Sequence, residues 1–288
     1  MNIIQIYKRF PTHEDCIKHL EQVRWNGKPT CPYCHSTKST PVEKENRHHC
    51  NTCNTSYSVT VNTIFHSTKL DLQKWFLAIS LILNAKKGIS SRQLGRHLEV
   101  TKDTAWRMQM QIRSAFLEYG DLLEGIVEAD ETYIGGKNKN RHKHKKTKGG
   151  QGRGGSDKTP VIGLKQRGGK VVARKSKDVS GKSLKGFIKQ NVKKGATLST
   201  DEWRGYSGLA PHYKHVLVSH GKGEYVNGIA HTNGIENFWS LLKRGVIGQY
   251  HWVSDRYLDL YVTEFSYRYN NRNTENIFDI VMKKAVFC

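Results

Sequence analysis

The chain has 288 residues, 36% of them hydrophobic, and a formal net charge of +22. That length suits one large domain with small modules, or two domains. The longest apolar run, WFLAISLIL at 75–83, is too short for a bilayer, and the N-terminal MNIIQIYKRFPTHEDC has no signal-peptide core; a cytoplasmic, nucleoid-associated protein is therefore expected rather than a membrane-spanning or secreted one. The charge is concentrated. Residues 137–194 hold 20 Lys and Arg against Asp157 and Asp178, a net of +18, which leaves +4 for the rest. A cationic segment on a nearly neutral body points to a polyanion, most simply nucleic acid.

In chain order, the first signal is cysteine spacing. Residues 1–60 contain five of six cysteines, four of them in two close pairs, and little else that reads as core. Cys31 and Cys34 form one C-x₂-C pair, Cys50 and Cys53 a second, with 15 residues between the pairs. Four thiolates complete a tetrahedral Zn²⁺ site with no open position, so one structural zinc is expected in a ribbon over 20–62. His35, His48 and His49 are possible replacements for a thiolate; Cys16 and Cys288 read as ordinary thiols.

A helical module is expected over 68–118. Leu72, Trp75, Phe76, Ile79, Ile82 and Leu83 fall on one helical stripe. GISSRQLGRHLEVTKDTAWRMQMQIR then reads as two helices, capped by Ser90 or Ser91 and by Thr101, with LEVTK as the turn of a helix-turn-helix. Such a module lays residues 101–113, Arg107 among them, in a major groove; the plainer reading is a packing unit that never meets DNA.

From 124 to 275 strand and helix patterns alternate. GIVEADETYIGG reads as a strand, PVIGLKQ and KVVARKS as a hairpin, SLKGFIKQNV as a helix, ATLSTDEW and KHVLVSH as strands, and TNGIENFWSLLKRGV and SDRYLDLYVTEFSYRYNN as helices. That order is the one found in a ribonuclease H-like α/β domain. Between Gly135 and Pro160 runs a Gly- and Lys-rich stretch, a basic insertion at 137–160 with nothing to bury. Lys139, Arg141, Lys143, Lys145, Lys146 and Lys148 are its candidate phosphate contacts.

The fold pattern gathers carboxylates from distant segments. Asp130, Asp201 and Glu236 are the candidates, with Glu128, Glu131 and Glu202 as rivals. Oxygen ligands suit Mg²⁺ or Mn²⁺, and a pair of such ions roughly 4 Å apart serves in-line phosphoryl displacement. Lys243, seven residues after Glu236, falls on the same helix side but too far for a salt bridge; it either reaches DNA or is a solvated surface lysine.

CPYCHS, CNTC, TIFHSTKLDLQKWF, VEADETYIGGK, STDEWRGYSGL and HTNGIENFWSLLKRGVIGQY together resemble transposases of bacterial insertion sequences that join a zinc ribbon to an Asp-Asp-Glu domain. The resemblance spans roughly 20–270. It implies Asp130, Asp201 and Glu236 as the metal-binding triad, Lys243 as the accessory basic residue, and mobile-element ends and target DNA as partners of a homodimer or larger synaptic complex. Asn62 stands where the pattern has Gly, and the insertion after Lys137 is longer than the pattern needs. A nuclease that only hydrolyses, or an inactive DNA-binding regulator, are the competing functions.

Overall fold

The structure is a computed structural model, which describes residues 1–118, 120–136, 142–145, 158–218 and 231–287. It divides into two units, Met1–Leu117 with Asn273–Cys288, and Glu118–Arg272. In chain order the first unit begins with α1 (Ile3–Arg9) and α2 (His13–Trp25). Asn2 and Thr12 open them with capping boxes, satisfying N–H groups that the first turn leaves without partners.

A three-stranded antiparallel sheet follows: β1 (Ser39–Val42), β2 (Arg47–Cys50) and β3 (Thr55–Tyr57). Next come α3 (Leu72–Asn84), α4 (Ser91–Leu98) and α5 (Lys102–Ser114), with Asp71, Ser90 and Thr101 as caps. On α3, Leu72, Trp75, Phe76, Ile79 and Ile82 are buried as the stripe requires, and Leu83 is half-buried.

The second unit is a mixed five-stranded sheet. Its strands are β4 (Ile126–Ile134), β5 (Thr159–Gln166), β6 (Val171–Lys175), β7 (Thr197–Thr200) and β8 (Lys214–Leu217). Their spatial order is β6-β5-β4-β7-β8. β4, β5 and β6 pair antiparallel, while β7 and β8 run parallel to β4. A parallel step needs a crossover, and α6 (Gly181–Asn191) supplies it between β6 and β7. Its Leu184, Phe187 and Ile188 join Val127, Ala129, Leu164 and Leu198 in one core.

α7 (Asn233–Gly245) and α8 (Leu258–Asn270) complete this unit. α8 also closes the open edge of β6: the Asn270 amide exchanges two hydrogen bonds with the Val171 backbone, at 2.7 and 2.9 Å, and Asp259 accepts from Lys175 N at 2.9 Å. Side chains thus stand in for a missing strand and blunt the edge.

The last helix, α9 (Ile277–Val286), belongs to the first unit. Phe278 meets Phe76 of α3 and Phe10, with centroids 5.8 and 6.2 Å apart, and Ile64 N donates to Ala285 O. The N-terminal residues therefore carry more core than their composition suggests. Ile6, Phe10, Cys16, Ile17 and Leu20 are all buried, because α1 and α2 pack against α3 and α9. Among the described residues, no helix is long and apolar enough to cross a membrane.

Candidate metal centres and DNA-facing surfaces

β4 is the middle strand of its sheet, and it carries the acids. Glu128 pairs with Ser199 in the parallel register to β7. Asp130 lies two residues past Glu128, and Asp201, two past Ser199, is the first residue beyond β7. Side chains alternate along a strand, so Glu128 and Asp130 share one face and Glu131 points to the other.

α7 lies on the Glu128 and Asp130 face and is fixed at two points one turn apart. The Ile235 N–H donates to Glu128 Oε2 at 2.9 Å, and Trp239 Nε1–H donates to Asp130 Oδ2 at 3.0 Å. Thr232 provides no side-chain cap, so the buried Glu128 carboxylate, supplied from another element, does the capping. Arg167 Nε at 3.0 Å and His231 Nδ1 at 3.2 Å flank the same carboxylate.

Two glycines permit this approach. A Cβ on Gly234 would come 2.7 Å from Glu128 Oε2, and one on Gly163 would come 2.5 Å from the Trp239 ring. Gly163 is the β5 residue paired with Asp130.

Glu236 follows directly in the first turn of α7, where Thr232 Oγ1–H donates to its Oε1 at 2.7 Å. Asp201 accepts from Trp203 N at 3.0 Å. Burial pushes the Asp130 carboxyl up to about 7, and the charges of Glu131, Asp201 and Glu236 add to that shift. The acids therefore act on one another. A divalent cation relieves such crowding, and an all-oxygen donor set fits Mg²⁺ or Mn²⁺. Of the rivals, Glu128 is engaged by α7 and Arg167, Glu131 accepts from Tyr206 at 2.9 Å on the opposite face, and Glu202 is exposed. Glu128 is the residue sequence reading underrates; its signal is the face it shares with Asp130.

Lys243 is exposed and lines a groove of about 630 Å³ with the end of β4, at Tyr133–Gly136, and with Lys158, Ile247, His251 and Trp252.

In the first unit, Cys31, Cys34, Cys50 and Cys53 bring their sulfurs within 4.8 Å of one another. Cys31 Sγ and Cys53 Sγ are 3.7 Å apart, and Cys34 Sγ and Cys50 Sγ 3.5 Å. A tetrahedron with Zn–S bonds of about 2.3 Å has edges of about 3.8 Å, so the four thiols match zinc. N–H groups of Cys53 and Thr52 help hold the Cys50 thiol down at about 6, which favours the thiolate a metal needs. The histidines are occupied elsewhere: His48 bonds Glu21 at 2.8 Å, and His49 contacts Ser56 and Asn54. Asn62, which replaces an expected Gly, sits at φ 57°, where Asn is the best-tolerated alternative. Cys16 is buried and its thiol is pushed up to about 12, chiefly by that burial.

α4 and α5 pack across a turn at Glu99–Thr101, with Glu99 in the left-handed region. A Cβ at Gly95 would meet Val100 O at 2.8 Å, so the helix and turn approach as closely as a glycine allows. Arg92, Arg96 and Lys102 border a shallow groove here, and Arg107 is exposed on α5. Of the insertion, Lys143 is exposed within a single helical turn over Lys143–Lys145; Lys139, Arg141, Lys146 and Lys148 lie outside the described residues, as does Cys288.

A four-thiol module ahead of an α/β unit that carries acids on its central strand, just past the neighbouring strand and on a following helix is the build of a zinc-ribbon Asp-Asp-Glu transposase. Residues 122–270 match the ISXO2-like transposase domain and residues 11–56 the transposase zinc-ribbon domain, so the chain belongs to the ISXO2-like transposase family. It is also 29% identical over 273 residues to an uncharacterized protein in transposable element ISH50 of Halobacterium salinarum (strain ATCC 700922 / JCM 11081 / NRC-1), covering 91% of this chain and 92% of that one.

Proposed function

We propose that the protein cuts DNA at the ends of a mobile element and joins the freed ends to target DNA, using Asp130, Asp201 and Glu236 as the cation-binding triad of a ribonuclease H-like unit. The carrying observation is that Asp130 lies two residues past Glu128 and Asp201 two past Ser199, the last pair of the parallel register, with Glu236 on the helix that Asp130 itself anchors. The strand order, three antiparallel strands followed by a crossover helix and two parallel strands, supports that fold reading.

The first reaction is hydrolysis. Water attacks the phosphorus at the element's end, the P–O3′ bond breaks, and the 3′-oxygen leaves as a hydroxyl. In the second, that hydroxyl oxygen attacks a target phosphodiester and displaces the target's own 3′-oxygen. One phosphodiester is lost and one gained in the joining step, so no outside energy source is needed. Bound divalent cations supply charge neutralisation at the phosphate and activation of the attacking oxygen. The protein's part is positioning: Trp239 orients Asp130, Glu128 seats the helix that carries Glu236, and the zinc ribbon, α5 with Arg107, and the lysines of the insertion hold DNA. Joining two ends calls for a dimer or larger assembly.

The test is to incubate the protein and Mg²⁺ with DNA carrying the element's terminal sequence and a target plasmid. New 3′-hydroxyl ends and covalently joined product are expected. Cutting without any joining would reduce the protein to a nuclease, and neither activity would leave a DNA-binding regulator.

A further inference from the structure

The groove at Lys243 is built from two elements that diverge from the acids. Along β4, Ile134 lies four residues past Asp130, a rise of about 13 Å; along α7, Lys243 lies seven past Glu236, about 10 Å. At 3.4 Å per nucleotide step, a DNA strand passing the acids reaches this groove within roughly three or four nucleotides.

Its lining is unusual for a surface. Ile247 and Trp252 are each 68% exposed, beside Lys158 and Lys243. The chain takes a strained route to present them. After α7 it widens into one π-helical turn over Val246–Tyr250, and His251 then takes φ 60° and ψ −42°. Trp252 N donates to Tyr250 O at 2.7 Å, closing a γ-turn of the rare positive-φ kind. Strain of this sort at a non-glycine residue persists where the surroundings enforce it, and it gathers at ligand sites. Here it turns an indole out to solvent in the groove that Lys158 and Lys243 also line.

We propose that this groove binds unpaired nucleotides of the strand leading away from the scissile phosphate, with the Trp252 indole as stacking platform and Lys158 and Lys243 on the phosphates. The inference rests on the proposed DNA-cutting reading for its location beside the acids. Its chemistry is independent of that reading: an exposed aromatic ring with flanking cations recognises single-stranded nucleic acid of any sequence, because every base offers a π-face. An intact duplex hides those faces, so the groove discriminates against fully paired DNA.

The experiment, run with the ribbon's zinc in place but without Mg²⁺ or Mn²⁺, is binding of an oligothymidylate carrying one 2-aminopurine, with a duplex of equal length alongside. Trp252→Ala is expected to weaken the single-strand complex by a factor of about 5 to 150, the loss of one stacked base, and to leave duplex affinity within about twofold. Trp252→Phe keeps a ring and most of the affinity, and Lys158→Gln flattens the log affinity against log salt slope by about 0.7. Unchanged single-strand affinity in Trp252→Ala, or equal loss on both DNAs, overturns the proposal. Because no Mg²⁺ or Mn²⁺ is supplied, these outcomes stand apart from the catalytic reading, which fails separately if element-end DNA is never cut.

Discussion

At the scale of single residues, the site depends on absent side chains as much as on acids. Gly163 faces Asp130 across the β4–β5 pair, and the space it leaves is filled by the Trp239 ring, which donates to Asp130. Gly163→Ala forces that ring away and is expected to cost about 1–3 kcal/mol as overpacking, with loss of cleavage beyond the loss of fold. At Gly186 in α6 an added methyl would meet nothing within 4 Å, so Gly186→Ala is expected to stabilise by up to about 1 kcal/mol. Thermal denaturation of the two variants checks the contrast; equal shifts would mean that Trp239 is not seated as described. Asp130 also sets a pH dependence. Its carboxyl, ordinarily near 3.8, is raised to about 7. The cation-free folded state therefore binds a proton more tightly than the unfolded chain does, and stability falls as pH rises from about 4 to about 7. Asp130→Asn removes that loss: its melting temperature is expected above wild type at pH 8 and not at pH 4. Cation affinity runs the other way, weakening by up to tenfold per pH unit below about 7 as protons compete. A flat pH profile for Mn²⁺ binding would show that Asp130 is not a ligand.

At the scale of elements, two modules of the first unit have separable supports. The ribbon has a small core, Cys31, Cys50 and Tyr57 with Trp25 and Val61 packed alongside, so the metal supplies much of its order. A chelator that strips about one zinc per chain is expected to release amide protection across β1–β3 and leave β4–β8 protected. Hydrogen exchange read by mass spectrometry decides this, and unchanged protection of β1–β3 would remove zinc from the ribbon's stability. The α4–α5 pair rests on the close approach at Gly95. Gly95→Ala is expected to open the turn and weaken DNA binding together with stability, while exposed Arg107→Gln leaves stability intact and reduces the salt slope by about 0.9 for duplex DNA. An unchanged slope would make this module a packing unit. Several elements are readable from sequence: the α3 stripe, the β4 strand and the hairpin at Gly168–Gly169 all appear where the pattern puts them. α9, the ribbon's short strands and the packing of α1 and α2 are not readable. For the helices, burial comes from partners more than 50 residues away, such as Phe10 and Phe76 on Phe278, and periodicity carries no record of the partner; the ribbon's strands, three or four residues each, are too short to show a period.

At the scale of the whole molecule, the proposed function has acids from three distant segments and a charge of +22 serve one polyanionic substrate. The proposed acids are legible as candidates because VEADETY, STDEW and NGIENFW carry them in recognisable surroundings. Their support is not: Glu128 as a cap borrowed by α7, Gly163 as the recess for Trp239, and the γ-turn that exposes Trp252 exist only once the sheet and helix meet. The central claim is that Asp130, Asp201 and Glu236 form one cation-binding catalytic centre. The most direct measurement is single-turnover cleavage of element-end DNA by Asp130→Ala, Asp201→Ala and Glu236→Ala, with DNA affinity measured in parallel. Each variant is expected to lose at least about 10²-fold in rate while binding DNA as well as wild type or better, since each removes a negative charge. Near-normal cleavage by any one of them would contradict the claim and turn the search to Glu131 or Glu202.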